Sequence, residues 1–245
     1  YIHGGAWRDP NITEKTFEST LDYFFQSSPY ILKGYASISY RLSPHPDFDQ
    51  DSSTPAYRLR NAKNPDHIDD VLLAIQFLHN NFKISDNYIL VGHSCGSTLA
   101  LQTILNRPPD CTVPRPQAII GIAGIYDLRG LRDRNNHPSY QNFISGAFGE
   151  DESVWDSVSP AKSNLLEHLW PEGKLIILVS SSGDKLVEAE QIEVMEQALS
   201  ICKNLRVEIW KNLLVCDHDE IWQSDELCKL LIKALKVFFA IPNTC

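Results

Sequence analysis

The segment Gly92-His93-Ser94-Cys95-Gly96 sets a serine between two glycines. A short apolar run, "NYILV", precedes it, and a helix-prone stretch, "CGSTLALQTIL", follows. A Gly-x-Ser-x-Gly pattern by itself is common. Between a strand and a helix it gains meaning, because the serine must then sit on a sharp, strained turn where side chains two residues before and after would collide. Such a turn lifts the Ser94 hydroxyl clear of the backbone, next to a helix N-terminus that favours developing negative charge. The chemistry is nucleophilic attack on a carbonyl. A serine hydroxyl is a weak nucleophile at neutral pH and needs a base.

In a strand-turn-helix architecture of this kind, the orienting acid follows a late strand. The base lies between the last strand and the last helix. Asp184 stands directly after the apolar run "LIILVSSSG", and His218 stands in "VCDHDEIW", after "LRVEIW" and before the closing helix. Ser94, Asp184 and His218 therefore occur in the expected chain order. Asp217 and Asp219 flank His218, but neighbours on a tight loop rarely reach back to Nδ1. Of the other histidines, His93 should point away at the turn. His67 and His79 belong to a helix as surface residues, and His45, His137 and His168 fall in irregular segments.

Attack on a carbonyl puts negative charge on its oxygen, and donors must already be aimed there. One is the N–H of Cys95, next after the nucleophile. The others come from a loop after an early strand, and "YIHGGAW" at the start of the chain has that form. Gly4 and Gly5 let the backbone approach a substrate closely. The N–H groups of Gly5 and Ala6 are the leading candidates, with Gly4 next. His3 is read as a brace for the loop.

The elements that must position these residues are legible as apolar runs alternating with helical stripes. Strands are expected at 35–42, at "NYILVGH", at "QAIIGIAGIYDL", at "KLIILVSSSGD" and at "LRVEIW". A helix over 67–82 carries Ile68, Val71, Leu72, Ile75 and Leu78 on one stripe. Another covers about 187–202, and "ELCKLLIKALKVFF" closes the chain as an amphipathic helix. The alternation predicts an α/β fold: a mostly parallel sheet with helices on both faces. Residues 43–66, with four prolines, read as a loop. Residues 129–172 read as an insertion above the sheet that forms part of a substrate pocket.

The 245 residues are 43% hydrophobic, which suits one globular domain with a large core. The net charge of −9 argues against nucleic-acid or anionic-membrane partners. No run of about 18 apolar residues suggests a membrane span. Cysteines at 95, 111, 202, 216, 228 and 245 form neither a C-x-x-C pair nor a metal-like cluster, which points to reduced thiols and a cytoplasmic setting. The chain opens on what reads as the end of a buried strand, so an N-terminal segment supplying earlier strands is expected.

With these residues placed, the chain resembles the α/β-hydrolases, and among them the kynurenine formamidases (arylformamidases) of fungal type. "HGGAW" (His3, Gly4, Gly5, Ala6, Trp7) resembles that family's H-G-G-x-W signature. Lipases and esterases of the hormone-sensitive-lipase group usually carry a third glycine where Ala6 stands. "SYRLSP" at 39–44 is shared with both groups, and "GHSCG", "SSSGDKLV" and "DHDEIW" match the family's segments in order. The resemblance implies hydrolysis of N-formyl-L-kynurenine to L-kynurenine and formate, in tryptophan breakdown toward NAD. It implies no cofactor, no metal and often a homodimer. Because a formyl group is tiny, selectivity must come from the leaving-group side, and Trp7, Tyr126 and Trp155 are candidates for an aromatic pocket. The alternatives are a short-chain carboxylesterase using the same machinery and a non-catalytic hydrolase fold serving as a binding protein.

Overall fold

The computed structural model describes residues 1–27 and 32–242, Tyr57 without its side chain; Cys245 lies outside the described residues. Four parallel strands form the sheet in the order β1 (Ile89–His93), β2 (Ala118–Ile122), β3 (Leu175–Ser181) and β4 (Arg206–Leu214). Their registers pair Gly92 with Gly121, Gly121 with Leu178, and Leu178 with Ile209. Residues of β2 and β3 alternate between two apolar clusters, as a strand of period two requires. Ile119, Ile176 and Leu178 pack on one side, while Ile120, Ile122, Ile177 and Val179 pack on the other. This is why both strands read as unbroken apolar runs: each face is covered.

On the first face lie α2 (Asp66–Phe82), α3 (Cys95–Leu105) and α8 (Glu190–Leu199). The expected stripe of α2 holds, with Ile68, Val71, Leu72 and Ile75 buried and Leu78 half-buried. On the second face lie α1 (Glu18–Ser27) and α10 (Glu226–Phe239), the latter burying Leu227, Leu230, Leu231, Ala234 and Leu235. The short α9 (Glu220–Gln223) precedes it.

Beyond β1 the sheet is continued by bridges only. Ile2 bridges Gly92 on one side and Ile38 on the other, with Ile2 N donating to Val91 O at 2.8 Å and Ile38 N donating to Tyr1 O at 2.9 Å. Residues 35–42, expected as a full strand, are extended but make just this one bridge. Their polar groups turn instead to the loop at 3–7: Tyr40 Oη donates to Gly4 O at 2.9 Å, and just beyond, Ser43 N donates to Trp7 O at 2.8 Å. Residues 43–65 are largely irregular, apart from one 3₁₀ turn at Ala56–Arg58.

The chain between β2 and β3, which includes the 129–172 insertion, is made of short helices. It holds α4 (Leu128–Arg134), α5 (Pro138–Phe148), α6 (Glu152–Val158) and α7 (Leu166–Leu169). Side-chain caps start the first three, since Asp127, His137 and Asp151 each accept a backbone N–H of the first turn.

Candidate active site

Ser94 sits between β1 and α3 with φ 55° and ψ −126°, a conformation that costs a non-glycine residue on the order of 1–3 kcal/mol. The flanking glycines make it feasible. A Cβ on Gly92 would lie 2.3 Å from Gly96 O, and one on Gly96 would lie 2.2 Å from Ile2 O. Both contacts are with backbone, which cannot yield. The strained turn is thus locked between α3 and the first strand segment, and the serine faces a cavity of about 480 Å³.

His218 lines the same cavity. Its Nδ1–H donates to Asp184 Oδ2 at 2.7 Å. The other carboxylate oxygen, Oδ1, accepts the N–H groups of Leu186 at 2.8 Å and Val187 at 2.9 Å. Both oxygens of Asp184 are therefore engaged, and its side chain is 2% exposed. The two rival acids are occupied elsewhere. Asp217 pairs with Lys185 at 2.6 Å, and Asp219 accepts Trp222 Nε1–H at 3.2 Å. The segments after β3 and β4 that carry Asp184 and His218 are sewn together: Ser181 Oγ donates to Cys216 O at 2.5 Å, and a Cβ on Gly183 would strike Val215 O.

The loop at 3–7 lies against Ser94, since a Cβ on Gly4 would come within 2.9 Å of Ser94 Cβ. Gly5, Ala6 and Trp7 are all left-handed, with φ of 90°, 49° and 60°, and Arg8 N closes the turn on Gly5 O at 2.9 Å. Gly5 and Ala6 line the cavity with Ser94, and their N–H groups donate to no backbone carbonyl among the described residues. Cys95 N–H, at the first position of α3, likewise has no intrahelical acceptor.

What holds this turn is the Cys95 side chain. Its sulfur accepts Trp7 N–H at 3.3 Å and lies 3.5 Å from Tyr40 Oη. Burial, the larger effect, pushes the thiol pKa up to about 11 despite hydrogen bonds from Tyr40, Trp7 and Ala6, so the sulfur stays protonated. His3 braces the loop as expected: its Nδ1 bonds Gly4 O at 2.9 Å and its ring stacks on Tyr40 at 4.4 Å.

His93 does not line the cavity; its ring lies 4.6 Å from that of His218, and its Nε2–H donates to His218 O at 3.2 Å. Burial and the nearby His218 hold its pKa well below the ordinary value. His67 is no surface residue. It is buried against Ser43 Oγ at 2.9 Å, with its pKa lowered to about 4 by burial.

The aromatic pocket candidates also need correction. Trp7, Tyr126 and Trp155 are fully buried in the core and lie off the cavity wall. Trp7 packs edge-on to Phe148 at 5.0 Å, Trp155 Nε1–H donates to Gly149 O at 2.8 Å, and Tyr126 lies under Gly121 and Gly124. The wall is made instead by Tyr140 and Phe143 of α5, by Leu186 and Val187, and by Arg8 and His45. Leu186 and Val187 could have been found from sequence, because they follow the acid directly. Within the 129–172 insertion nothing singled out Tyr140 or Phe143, and no local signal marked His45.

A serine on a strand-to-helix elbow, an Asp184–His218 pair and a left-handed backbone loop beside the serine, all at one end of a parallel sheet, are the arrangement of an α/β-hydrolase. Solved structures agree on the fold. The chain matches carboxyl esterase 2 of Tuber melanosporum with a TM-score of 0.64 at 17% identity, covering 98% of this chain and 76% of that one. It matches a hormone-sensitive lipase from a metagenome library with a TM-score of 0.63 at 17% identity, covering 97% and 74%. The BD-FAE family model matches residues 1–199.

Among curated proteins, a kynurenine formamidase-like hydrolase of Fusarium equiseti, fscH, is 42% identical, with 91% of this chain and 77% of that protein covered. The kynurenine formamidase avaC of Aspergillus versicolor is 36% identical over 92% and 84%. A kynurenine formamidase of Meyerozyma guilliermondii is 31% identical over 96% and 83%. This chain belongs to the kynurenine formamidase family.

Proposed function

We propose that this chain hydrolyses the formamide of N-formyl-L-kynurenine to L-kynurenine and formate, with Ser94 as nucleophile, His218 as general base and acid, and Asp184 as its orienting partner. The observation that carries the reading is the Asp184–His218 bond of 2.7 Å on the cavity that Ser94 shares with Gly5 and Ala6. The family supplies the substrate.

In this reading His218 Nε2 takes the Ser94 proton as Oγ bonds to the formyl carbon. The carbonyl oxygen becomes an oxyanion facing the N–H groups of Gly5, Ala6 and Cys95. Losing one such donor costs about 2.7–4 kcal/mol in comparable enzymes. Asp184 holds the Nδ1–H tautomer and stabilises the imidazolium. His218 then gives the proton to the arylamine nitrogen as the C–N bond breaks, leaving a formyl ester on Ser94. Water, deprotonated by His218, attacks that ester; formate departs and Ser94 regains its proton. The helices at 128–169 serve as a cap, with α5 supplying the wall that meets the leaving group. The reading extends to a homodimer working in the cytoplasm. Among the described residues no helix is long and apolar enough to cross a membrane. Sedimentation velocity and cell fractionation test these two points.

The deciding experiment compares kcat/KM for N-formyl-L-kynurenine and p-nitrophenyl acetate, with formate release by wild type and Ser94→Ala. The formamide is expected to be preferred and Ser94→Ala to be inert. A preference for the ester would make the chain a carboxylesterase instead. Failure of a fluorophosphonate probe to label Ser94 would make it a binding protein.

A further inference from the structure

Arg8 follows the left-handed turn and lines the cavity with Ser94 and His218. It is 9% exposed, yet it has no carboxylate partner within salt-bridge distance among the described residues. Its protein contacts are neutral. Nη1–H donates to Asn142 Oδ1 of α5, and the guanidinium lies 5.7 Å from the centre of the Phe143 ring. A guanidinium has five N–H donors, so most of its fork is left uncommitted. The other cation on the cavity, Lys185, is largely exposed and already held by Asp217 at 2.6 Å. Burial pushes the Arg8 pKa below its ordinary value, offset in part by Asp47 and Asp9. Asp9, which shares the cavity wall, and Asp47 act on the guanidinium from a distance, but neither is paired with it. A near-buried cation facing empty volume with no carboxylate bonded to it is a site suited to an anion, and the planar fork suits a carboxylate best.

We propose that Arg8 is the specificity-determining residue that binds the carboxylate of the substrate's amino-acid side chain, so that the enzyme selects anionic aryl formamides over neutral ones. The inference rests on the formamidase reading, since it supplies the reacting end to the substrate whose other end Arg8 would hold. Asn142 fixes the guanidinium from the cap side, and Phe143 flanks it. This assigns the α5 segment a role in recognition: it positions the one group that reads charge, while Ser94, His218 and the 3–7 loop read only the formyl group.

The test uses two substrates, N-formyl-L-kynurenine and the neutral N-(2-acetylphenyl)formamide, with wild type, Arg8→Gln and Arg8→Lys. The ratio of kcat/KM, carboxylate over neutral, is expected to fall about 10- to 100-fold in Arg8→Gln, mainly through KM, as befits one lost charge-assisted pair. Arg8→Lys, which keeps the charge without the fork, is expected to lie between and serves if Arg8→Gln does not fold. An unchanged ratio in both variants, including an equal loss on both substrates, overturns the proposal. Binding of N-formyl-L-kynurenine to Ser94→Ala and to Ser94→Ala with Arg8→Gln, measured by calorimetry, separates the two readings. Arg8-dependent binding without turnover in wild type would sink the formamidase reaction but keep the anion site. Turnover in wild type with Arg8-independent binding would do the reverse.

Discussion

Asp184→Asn is nearly isosteric, yet the surroundings of this carboxylate dictate how the amide would sit. Oδ1 accepts two backbone N–H groups, from Leu186 at 2.8 Å and Val187 at 2.9 Å. An NH₂ at that position would set donor against donor twice, so the asparagine carbonyl must occupy it. The NH₂ is then forced to face His218 Nδ1, where Oδ2 now stands at 2.7 Å. Nδ1 must become the acceptor, which moves the imidazole proton to Nε2. In that tautomer His218 Nε2 carries a hydrogen and has no lone pair with which to take a serine proton. The corresponding change in a serine protease lowers kcat by about 10⁴, which is about 5 kcal/mol of barrier. The same loss is expected here because the two N–H groups leave the amide no other orientation. The assay is formate release under saturating substrate, with Tm as the control for folding. A variant that folds normally and keeps kcat within tenfold of wild type would refute both the assignment of Asp184 and the tautomer argument.

Cys95→Ala removes the acceptor of a buried N–H, that of Trp7. It is expected to cost about 1–3 kcal/mol, read as a Tm drop of roughly 2–4 °C for each kcal/mol, with a fall in kcat as the left-handed turn loosens. Gly96→Ala puts a methyl carbon 2.2 Å from Ile2 O and is expected to prevent soluble expression, seen as loss of the folded protein on gel filtration. His3 and His67 both have pKa values lowered to about 4 by burial. The unfolded chain takes up their protons first, so stability is full above about pH 6.5 and declines as pH falls toward about 4. Urea midpoints across that window should show the decline, and His67→Asn should flatten it.

The elbow was legible because its constraint is local: Gly92 and Gly96 are required by backbone atoms only a few residues away or on the adjoining strand. Asp184 and His218 were legible for a related reason. A parallel sheet puts the ends of its strands on one edge, so counting apolar runs is counting positions on that edge. The cavity wall was legible as a segment, 129–172, but not residue by residue. Trp7, Tyr126 and Trp155 are large aromatics in suggestive places, but residue type does not say whether a ring faces a cavity or a core. Here the core took all three, and Tyr140 and Phe143 line the cavity from α5, where Phe143 also packs on Trp7. The strand at 35–42 shrank to one bridge, and Tyr40 and Ser43 at its end bond the 3–7 loop.

That last departure explains how strain at the site is tolerated. Ala6 and Trp7 are held left-handed without the freedom of glycine, and Ser94 is strained as well. Left alone, such a loop would relax and its N–H groups would turn from the cavity. Tyr40 Oη on the carbonyls of His3 and Gly4, Ser43 N on Trp7 O, and Cys95 Sγ on Trp7 N–H oppose this from three sides. The Trp7 ring, wedged beside Phe143 and Phe148, opposes it from a fourth. If Gly5 and Ala6 are the oxyanion donors, Trp7 acts on the reaction from the core, by fixing where they point rather than by touching substrate. Its replacement by phenylalanine should lower kcat with little change in KM, which a pocket residue would not do.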